Sequence, residues 1–219
     1  MSRRSINLIP ELDDYARAHS TPTDPLLAEL IEETYSVLPD RAQMQISPEQ
    51  SKFLTMLSRT LGVRHAVEIG TFTGMSSLSV ARGMAADGKL ICFDISEEFT
   101  SIARAYWDKA GVADRIELRI GDAKSTLDDL DPAPVVDLAF IDADKTGYPV
   151  YWEKLAPRIR PGGYIIVDNV FQGGRIIDDA VTTPEVIAMR AFNDAVAADD
   201  RFDVVMLSIA DGLTLAQRK

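Results

Sequence analysis

The chain has 219 residues, of which 46% are hydrophobic and 26% are charged, and its formal net charge is −11. This length suits a single domain with a full core, and the negative charge argues against a nucleic-acid partner bound through its phosphates. No apolar run approaches the ~20 residues of a membrane span, and no apolar signal core follows the basic residues 1–4, so we expect a cytoplasmic protein without a membrane partner.

Residues 1–62 are predicted to form helices only. Three helices are predicted in this part, at about 9–18, 24–37 and 47–62. The first of them is either a short helix or an arm. The third is the best marked, because Ser47 is a good cap, Gln50 completes a capping box and Gly62 suits the stop. Such helices either cover the rest of the domain or pair two subunits, and the sequence leaves both alternatives open.

From residue 63 to residue 219, apolar strands alternate with helical stretches. Strands are predicted at 65–69, 89–94, 115–120, 135–141 and 163–168. The intervening helices are predicted at about 75–86, 97–110, 123–130 and 147–159. This alternation predicts an α/β fold, a doubly wound parallel sheet with helices on both faces. Another helix follows Pro184, and the turn residues 210–212 predict a closing antiparallel hairpin with strands at 204–209 and 213–215.

Polar residues at the ends of the first three predicted strands are candidates for a ligand site, because ligands of such sheets lie at the carboxyl ends of the strands. After the first strand, Gly70 and Gly74 allow the backbone to approach a ligand closely, and Glu68 could receive an ammonium group. After the second, Asp94 suits a bidentate hydrogen bond to ribose hydroxyls, or Asp94 or Ser96 only caps the next helix. After the third, residues 121–123 could border an adenine ring or form a turn with a helix cap.

The ends of the fourth and fifth predicted strands carry Asp142, Asp168 and Asn169. Adjacent parallel strands would bring these residues to one edge of the sheet, where they offer two carboxylates and an amide oxygen. Hard oxygen ligands of this kind suit Mg²⁺ or a similar ion rather than zinc, although the last two residues are equally consistent with a polar turn. Lys145 lies three residues beyond Asp142, close enough to act as a base beside a cation, but such a lysine is also typical of a solvated helix start.

Together these motifs resemble those of the cation-dependent O-methyltransferases, the family that includes catechol O-methyltransferase and the caffeoyl-coenzyme A O-methyltransferases. The matching stretches are 67–76, 140–145, 160–163, 168–170 and 211–216. The resemblance covers roughly residues 40 to 219. It implies a Rossmann-like seven-stranded sheet, mostly parallel with a reversed last strand, in a single methyltransferase domain over residues 1–219. It also implies a homodimer, in which residues 1–62 either cover the S-adenosylmethionine-binding core of residues 63–219 or pair the subunits.

The resemblance further implies a role for each candidate residue. Asp142, Asp168 and Asn169 would hold Mg²⁺ or another divalent cation, and Lys145 would be the catalytic base, with Asp142 as its catalytic neighbour. The positions that match S-adenosylmethionine-binding residues of the family are Met44, Ile46, Glu68, Gly70, Thr71, Ser76, Asp94, Ala123, Asp142 and Asp144.

The resemblance therefore predicts a divalent-metal-dependent O-methyltransferase that acts on a catechol-like vicinal diol, a small aromatic molecule whose two oxygens chelate the cation. One departure bears on the acceptor. Plant members carry a tryptophan and an asparagine where this chain has Gln172 and Gly173, which argues against a coenzyme A ester. Two alternatives remain at this point: a nicotinamide-dependent oxidoreductase, against which the spacing of Gly70 and Gly74 speaks, and a non-catalytic S-adenosylmethionine-binding protein.

Overall fold

The computed structural model describes residues 9–133 and 135–219, so the basic residues 1–4 lie outside the described part of the chain. The strands are β1 (His65–Ile69), β2 (Lys89–Asp94), β3 (Ile116–Ile120), β4 (Val136–Ile141), β5 (Ile159–Asp168), β6 (Phe202–Leu207) and β7 (Leu213–Arg218). The helices are α1 (Pro10–Ala18), α2 (Pro25–Val37), α3 (Pro48–Leu61), α4 (Met75–Gly83), α5 (Glu97–Lys109), α6 (Ala123–Thr126), α7 (Tyr148–Leu155) and α8 (Pro184–Ala197). None of the helices in this part combines the length and the apolar character that a membrane crossing needs.

The described residues form one seven-stranded sheet with the order β3-β2-β1-β4-β5-β7-β6. Strands β1 to β5 pair in parallel, while β7 runs antiparallel to both β5 and β6. Side chains alternate between the two faces of each strand, so one hydrophobic cluster packs α6, α7 and α8 on one face and a second packs α2 to α5 on the other. This confirms the predicted fold class, a doubly wound sheet whose last strand is reversed.

The central strands end in register, which decides where the site can form. Ile141, at the end of β4, pairs with Ile69 of β1 and with Val167 of β5. The next residues along β4 and β5, Asp142 and Asp168, therefore lie side by side at the carboxyl edge of the sheet. This is the arrangement that the strand-end argument predicts.

Helix α3 begins and ends where its capping signals predict. Gln50 N donates to Ser47 Oγ at 3.2 Å, Ser47 N donates to Gln50 Oε1 at 2.9 Å, and Gly62 ends the helix with a left-handed φ of 60°. The helix then packs on α4, where Ser51 Oγ lies 2.6 Å from Ser79 Oγ. Helices α2 and α3 thus cover the sheet domain, while their role in pairing two subunits stays a prediction.

Strand β5 differs most from its predicted bounds, since it begins at Ile159 rather than at residue 163. The Pro-Gly-Gly sequence within 160–163 suggests a turn, but Ile159 pairs with Val136 and the register shifts after that pair. The stretch is therefore a bulge inside the strand, and the helix before it is shorter than the predicted 147–159. The predicted helices at 75–86 and 123–130 also end early, at Gly83 and Thr126.

Replacing Gly70 with alanine is expected to destabilise the fold strongly. Gly70 has a left-handed φ of 87°, and a Cβ atom there would lie 1.8 Å from the main-chain oxygen of Asp142. Gly111→Ala is the matched control, because its φ of 66° is also left-handed but a Cβ atom would meet nothing within 4 Å. In urea unfolding we expect the control to lose about 1 kcal/mol and Gly70→Ala at least about 3 kcal/mol. Equal losses would contradict the close-contact argument.

Candidate active site

A cleft of about 1350 Å³ opens at the carboxyl ends of β1 to β5. This volume exceeds the about 300–1,000 Å³ of a typical small-molecule site, so a cofactor and a second molecule fit together. Apart from Glu68, every predicted cofactor residue lines the cleft, namely Met44, Ile46, Gly70, Thr71, Ser76, Asp94, Ala123, Asp142 and Asp144. Lys145, Asp168 and Asn169 line it as well. The structure therefore gathers the candidate residues around one site.

Asp94 organises the turn after β1 rather than capping the next helix. Its Oδ2 accepts hydrogen bonds from the main-chain nitrogens of Thr71 and Phe72, at 2.9 and 2.8 Å. The cap of α5 is Ser96, whose Oγ accepts a hydrogen bond from Phe99 N at 3.2 Å. Phe72 has a left-handed φ of 51°, a conformation uncommon outside glycine. Asp94 therefore stabilises the glycine turn from the side of β2.

Glu68 does not line the cleft, and its buried carboxyl group has no hydrogen-bond partner in the described part of the chain. It is fully buried, and within the described residues no donor is in hydrogen-bond geometry with either of its carboxylate oxygens. Burial raises the pKa of Glu68 to about 8, and the neighbouring hydroxyls of Ser76 and Thr71 offset only part of that rise. Buried carboxylates are normally hydrogen-bonded or paired, so a cationic group of a ligand would satisfy this one.

The ammonium of Lys145 lies at the centre of an oxygen cluster. Its Nζ donates to Asp142 Oδ1 at 2.9 Å, to Asn169 Oδ1 at 2.8 Å and to the hydroxyl of Tyr148 at 2.6 Å. The side chains of Lys145 and Asp142 are only 16% and 17% exposed, so solvent screens their attraction less than it would at the surface. These contacts distinguish Lys145 from the solvated lysine that the sequence alone allowed.

Tyr148 is a residue of this cluster that the sequence analysis did not predict. Its side chain is fully buried, and its hydroxyl donates to the main-chain oxygen of Asp168 at 3.2 Å. That bond turns a lone pair of the hydroxyl towards Lys145 Nζ. The spacing of three residues between Lys145 and Tyr148 was the available signal, because residues three apart share one side of a helical turn.

Asp168 is the more deeply buried carboxylate of the pair, with 2% of its surface exposed. Its Oδ1 accepts a hydrogen bond from Asn169 N at 2.6 Å. Burial and the nearby charge of Asp142 raise the pKa of Asp168 above its usual range. In the described part of the chain, no three His, Cys, Asp or Glu side chains gather as a metal-binding group. A metal site here would rest on two carboxylates and one amide oxygen.

Asp144 is engaged with protein groups at the wall of the cleft. Lys124 Nζ donates to its Oδ2 at 2.7 Å, and the hydroxyl of Tyr151 donates to its Oδ1. The structure therefore places Asp144 at the cleft, and its contact with a cofactor stays a prediction.

Several further residues line the cleft without belonging to any motif that we recognised. Gln50 is 2% exposed, and its Nε2 has no partner within the described residues. Its predicted role as a helix cap did not indicate that it also lines the cleft. On the β5 side, the 3₁₀ stretch Gln172–Ile177 brings Gln172 and Arg175 to the cleft wall. No spacing rule places these two side chains, because an irregular loop carries them.

Comparisons with known proteins agree with one another. The sequence profile of the O-methyltransferase family matches residues 17–219. The probable caffeoyl-CoA O-methyltransferase 1 of Dictyostelium discoideum is 40% identical, over 94% of this chain and 90% of its own length. The O-methyltransferase from Bacillus cereus in complex with SAH has a TM-score of 0.86 at 33% identity, over 95% of this chain and 97% of that chain. The Streptomyces achromogenes O-methyltransferase TomG, involved in tomaymycin synthesis and solved with SAM, has a TM-score of 0.84 at 30% identity, over 95% and 96%.

Proposed function

This chain belongs to the O-methyltransferase family, and we propose that it methylates one hydroxyl of a catechol-like vicinal diol with the help of a divalent cation. Like its relatives, it is an S-adenosylmethionine-dependent O-methyltransferase of the caffeoyl-CoA type, which sets aside the nicotinamide-dependent and the non-catalytic alternatives. The observation that carries the proposal is the oxygen cluster around Lys145. It joins a candidate base to a candidate cation site in a cleft large enough for two molecules.

The residues at the ends of β1 and β2 fit the two polar ends of S-adenosylmethionine. The unpaired carboxylate of Glu68 would accept the ammonium of the methionine part. Asp94 would bind the ribose, although main-chain nitrogens of Thr71, Phe72 and Ser96 already occupy three of its roughly four lone-pair sites. We therefore favour one hydrogen bond from a ribose hydroxyl to Asp94 Oδ1 over the bidentate contact that the sequence suggested.

The oxygens of Asp142, Asp168 and Asn169 fit a divalent cation. Two of these residues, Asp142 and Asn169, already direct their oxygens at one cation, the ammonium of Lys145. Mg²⁺ is commonly bound by one or two carboxylates, with substrate oxygens and water completing its shell. The three residues would hold the ion, which when bound lowers the pKa of a coordinated hydroxyl.

In the proposed reaction, Lys145 first loses one proton to solvent, and its neutral Nζ then takes the proton of the reacting hydroxyl. The hydrogen bonds to Asp142 and Tyr148 orient this nitrogen, and the carboxylate of Asp142 stabilises the ammonium that forms. The hydroxyl oxygen then bonds to the methyl carbon of the sulfonium, the carbon–sulfur bond breaks, and sulfur keeps the electron pair. The rest of the cleft contributes the alignment of the two reactants.

A methyl-transfer assay with matched acceptors tests the vicinal-diol assignment. Catechol and caffeate carry two adjacent hydroxyls, phenol and 4-coumarate carry one, and caffeoyl-coenzyme A carries the diol as an ester. We expect mass spectrometry to detect methylated diols and no methylated monohydroxy compounds. Equal turnover of phenol and catechol would overturn the assignment. Turnover of caffeoyl-coenzyme A alone would restrict the acceptor to the ester that Gln172 and Gly173 argue against.

The binding of S-adenosylhomocysteine is expected to release a proton from Glu68 at neutral pH. The pKa of about 8 means that Glu68 is largely protonated in the free protein at pH 7, while the ammonium of the ligand favours the carboxylate. Affinity should therefore rise as the pH increases towards 8, and it should level off above that value, where Glu68 is already ionised in the free protein. Isothermal titration in two buffers of different ionisation enthalpy counts the protons.

Glu68→Gln is the matched variant for this measurement, because it keeps the size of the side chain and removes the titrating proton. It should bind S-adenosylhomocysteine about tenfold more weakly or worse and should release no proton. A wild-type protein that binds without proton release would remove Glu68 as the ammonium acceptor.

A further inference from the structure

The loop after β5 forms the part of the cleft wall next to the oxygen cluster. Gln172, Gly173 and Arg175 line the cleft there. The stretch Gln172–Ile177 is irregular, because Gly173 and Gly174 have left-handed φ values of 65° and 79°. These two glycines allow the chain to turn Arg175 back along the wall.

Hydrogen bonds hold this loop in one conformation. Gln172 Nε2 donates to the main-chain oxygen of Asn169 at 2.8 Å, and Gly173 N donates to Asp211 Oδ1 at 2.6 Å. The guanidinium of Arg190, on α8, donates to four main-chain oxygens of the loop, those of Arg175, Ile176, Asp178 and Val181. The loop is therefore tied to Asn169 and Asp211 at one end and to α8 along its length.

Arg175 differs from the other side-chain cations of the cleft in having no carboxylate partner. Lys145 is paired with Asp142 at 2.9 Å, and Lys124 is paired with Asp144 at 2.7 Å. Arg175 makes no ion pair within the described residues, and only its Nε is engaged, donating to the main-chain oxygen of Gln172 at 2.9 Å. Its two terminal nitrogens remain available for a planar anion, the geometry in which arginine binds carboxylates best.

The position of Arg175 in the fold assigns it to the acceptor rather than to the cofactor. The cofactor residues Glu68 and Asp94 belong to β1 and β2, whereas Arg175 follows β5, two strands beyond β1 in the sheet. A short chain of hydrogen bonds also ties it to the oxygen cluster, since Arg175 contacts Gln172 and Gln172 contacts Asn169. Arg175 is exposed at this part of the wall, and both observations favour the molecule whose hydroxyl lies at the oxygen cluster as its ligand.

We infer that Arg175 binds a carboxylate of the acceptor, so that the preferred substrate is a vicinal diol that carries an acid group. The inference rests on the proposed function, because it takes the diol to lie at the oxygen cluster. Asp211 also lines the cleft, but its Oδ1 accepts the hydrogen bond from Gly173 N. The carboxylate of the acceptor supplies the counter-charge that the protein does not.

Pairs of acids and their methyl esters test this inference with the intact protein. The acceptors are 3,4-dihydroxybenzoate and caffeate, each with its methyl ester, together with caffeoyl-coenzyme A as a second source of negative charge. The wild-type protein should prefer each acid to its ester in kcat/KM. Arg175→Gln should reduce that acid-to-ester ratio about tenfold, through KM rather than kcat, because one charge-assisted contact is lost. Arg175→Lys, which keeps the charge, should restore part of the ratio.

Arg59→Gln is the charge-matched control, since Arg59 is exposed on α3 and does not line the cleft. It should leave the ratio unchanged, and thermal melting should show that all variants are folded. If Arg175→Gln lowered kcat/KM equally for acids and esters, the inference would be overturned, because Arg175 would then only support the loop. If Arg175→Gln lowered kcat/KM for caffeoyl-coenzyme A alone, the inference would also be overturned, since Arg175 would then bind the phosphates of coenzyme A. Failure of the wild-type protein to methylate even the esters would instead reject the diol function itself.

Discussion

Lys145→Met is expected to lower the turnover of a vicinal diol by a factor of about 10²–10⁴, the usual contribution of a positioned general base. Methionine keeps the unbranched apolar stem of lysine and removes the nitrogen that contacts Asp142, Asn169 and Tyr148. The affinity for S-adenosylhomocysteine should stay nearly constant, because Lys145 itself is not among the predicted cofactor-binding residues and contacts neither Glu68 nor Asp94. Single-turnover kinetics together with a binding titration separates the two quantities.

Lys109→Met is a matched control for this experiment. Lys109 Nζ also donates to a carboxylate, Glu29 at 2.7 Å, and also lies over a tyrosine ring, that of Tyr106 at 4.2 Å, but it is outside the cleft. Its replacement should leave turnover unchanged. A Lys145→Met protein that is folded and fully active would remove Lys145 as the base.

Chelation of divalent cations should abolish methyl transfer to catechol, and added Mg²⁺ should restore it. We expect a fall of at least about 100-fold, because polarisation of the hydroxyl by a cation provides several kcal/mol of transition-state stabilisation. Binding of S-adenosylhomocysteine should change little, since Glu68 and Asp94, which are proposed to bind its two polar ends, lie on β1 and β2 and are not candidate ligands of the cation. Unchanged activity in chelator would reject the cation from the mechanism.

Substitution of one carboxylate at a time locates the cation without relying on activity. Asp168→Asn keeps the shape of the side chain and removes one charge from the cluster, so it should weaken Mn²⁺ binding measured by electron paramagnetic resonance. Asp144→Asn is the control, because its carboxylate is held by Lys124 and Tyr151, and it should bind Mn²⁺ as the wild-type protein does. Equal Mn²⁺ binding by both variants would place the cation elsewhere.

Much of the fold follows from hydrophobic patterning, because each strand and helix has to bury a face of its own. The predicted bounds of an element are wrong where the local preference of its residues differs from the pairing of its strand in the sheet. Residues 160–163 contain proline and two glycines, which locally favour a turn, but pairing of Ile159 with Val136 extends β5 through them. Pairing with a distant strand is a non-local effect, so no local pattern predicts it.

The candidate site likewise contains residues that the sequence could group and residues that it could not. Asp142, Asp168 and Asn169 could be grouped from the sequence, because they end neighbouring parallel strands and register places them together. The role of Lys145 needed the family resemblance, since its contacts depend on the path of a short 3₁₀ turn. Arg175 could not be found at all, because an irregular loop with left-handed glycines sets its direction.

The ammonium of Lys145 lies against Asp142, so the protein itself supplies a counter-ion at the acidic edge of the sheet. Part of the negative charge there is offset without a metal ion, so on the proposed function removal of the cation should stop methyl transfer and leave the packing around Asp142 intact. If the proposed cation site is correct, the apoprotein should therefore stay folded and regain activity when the cation is added back.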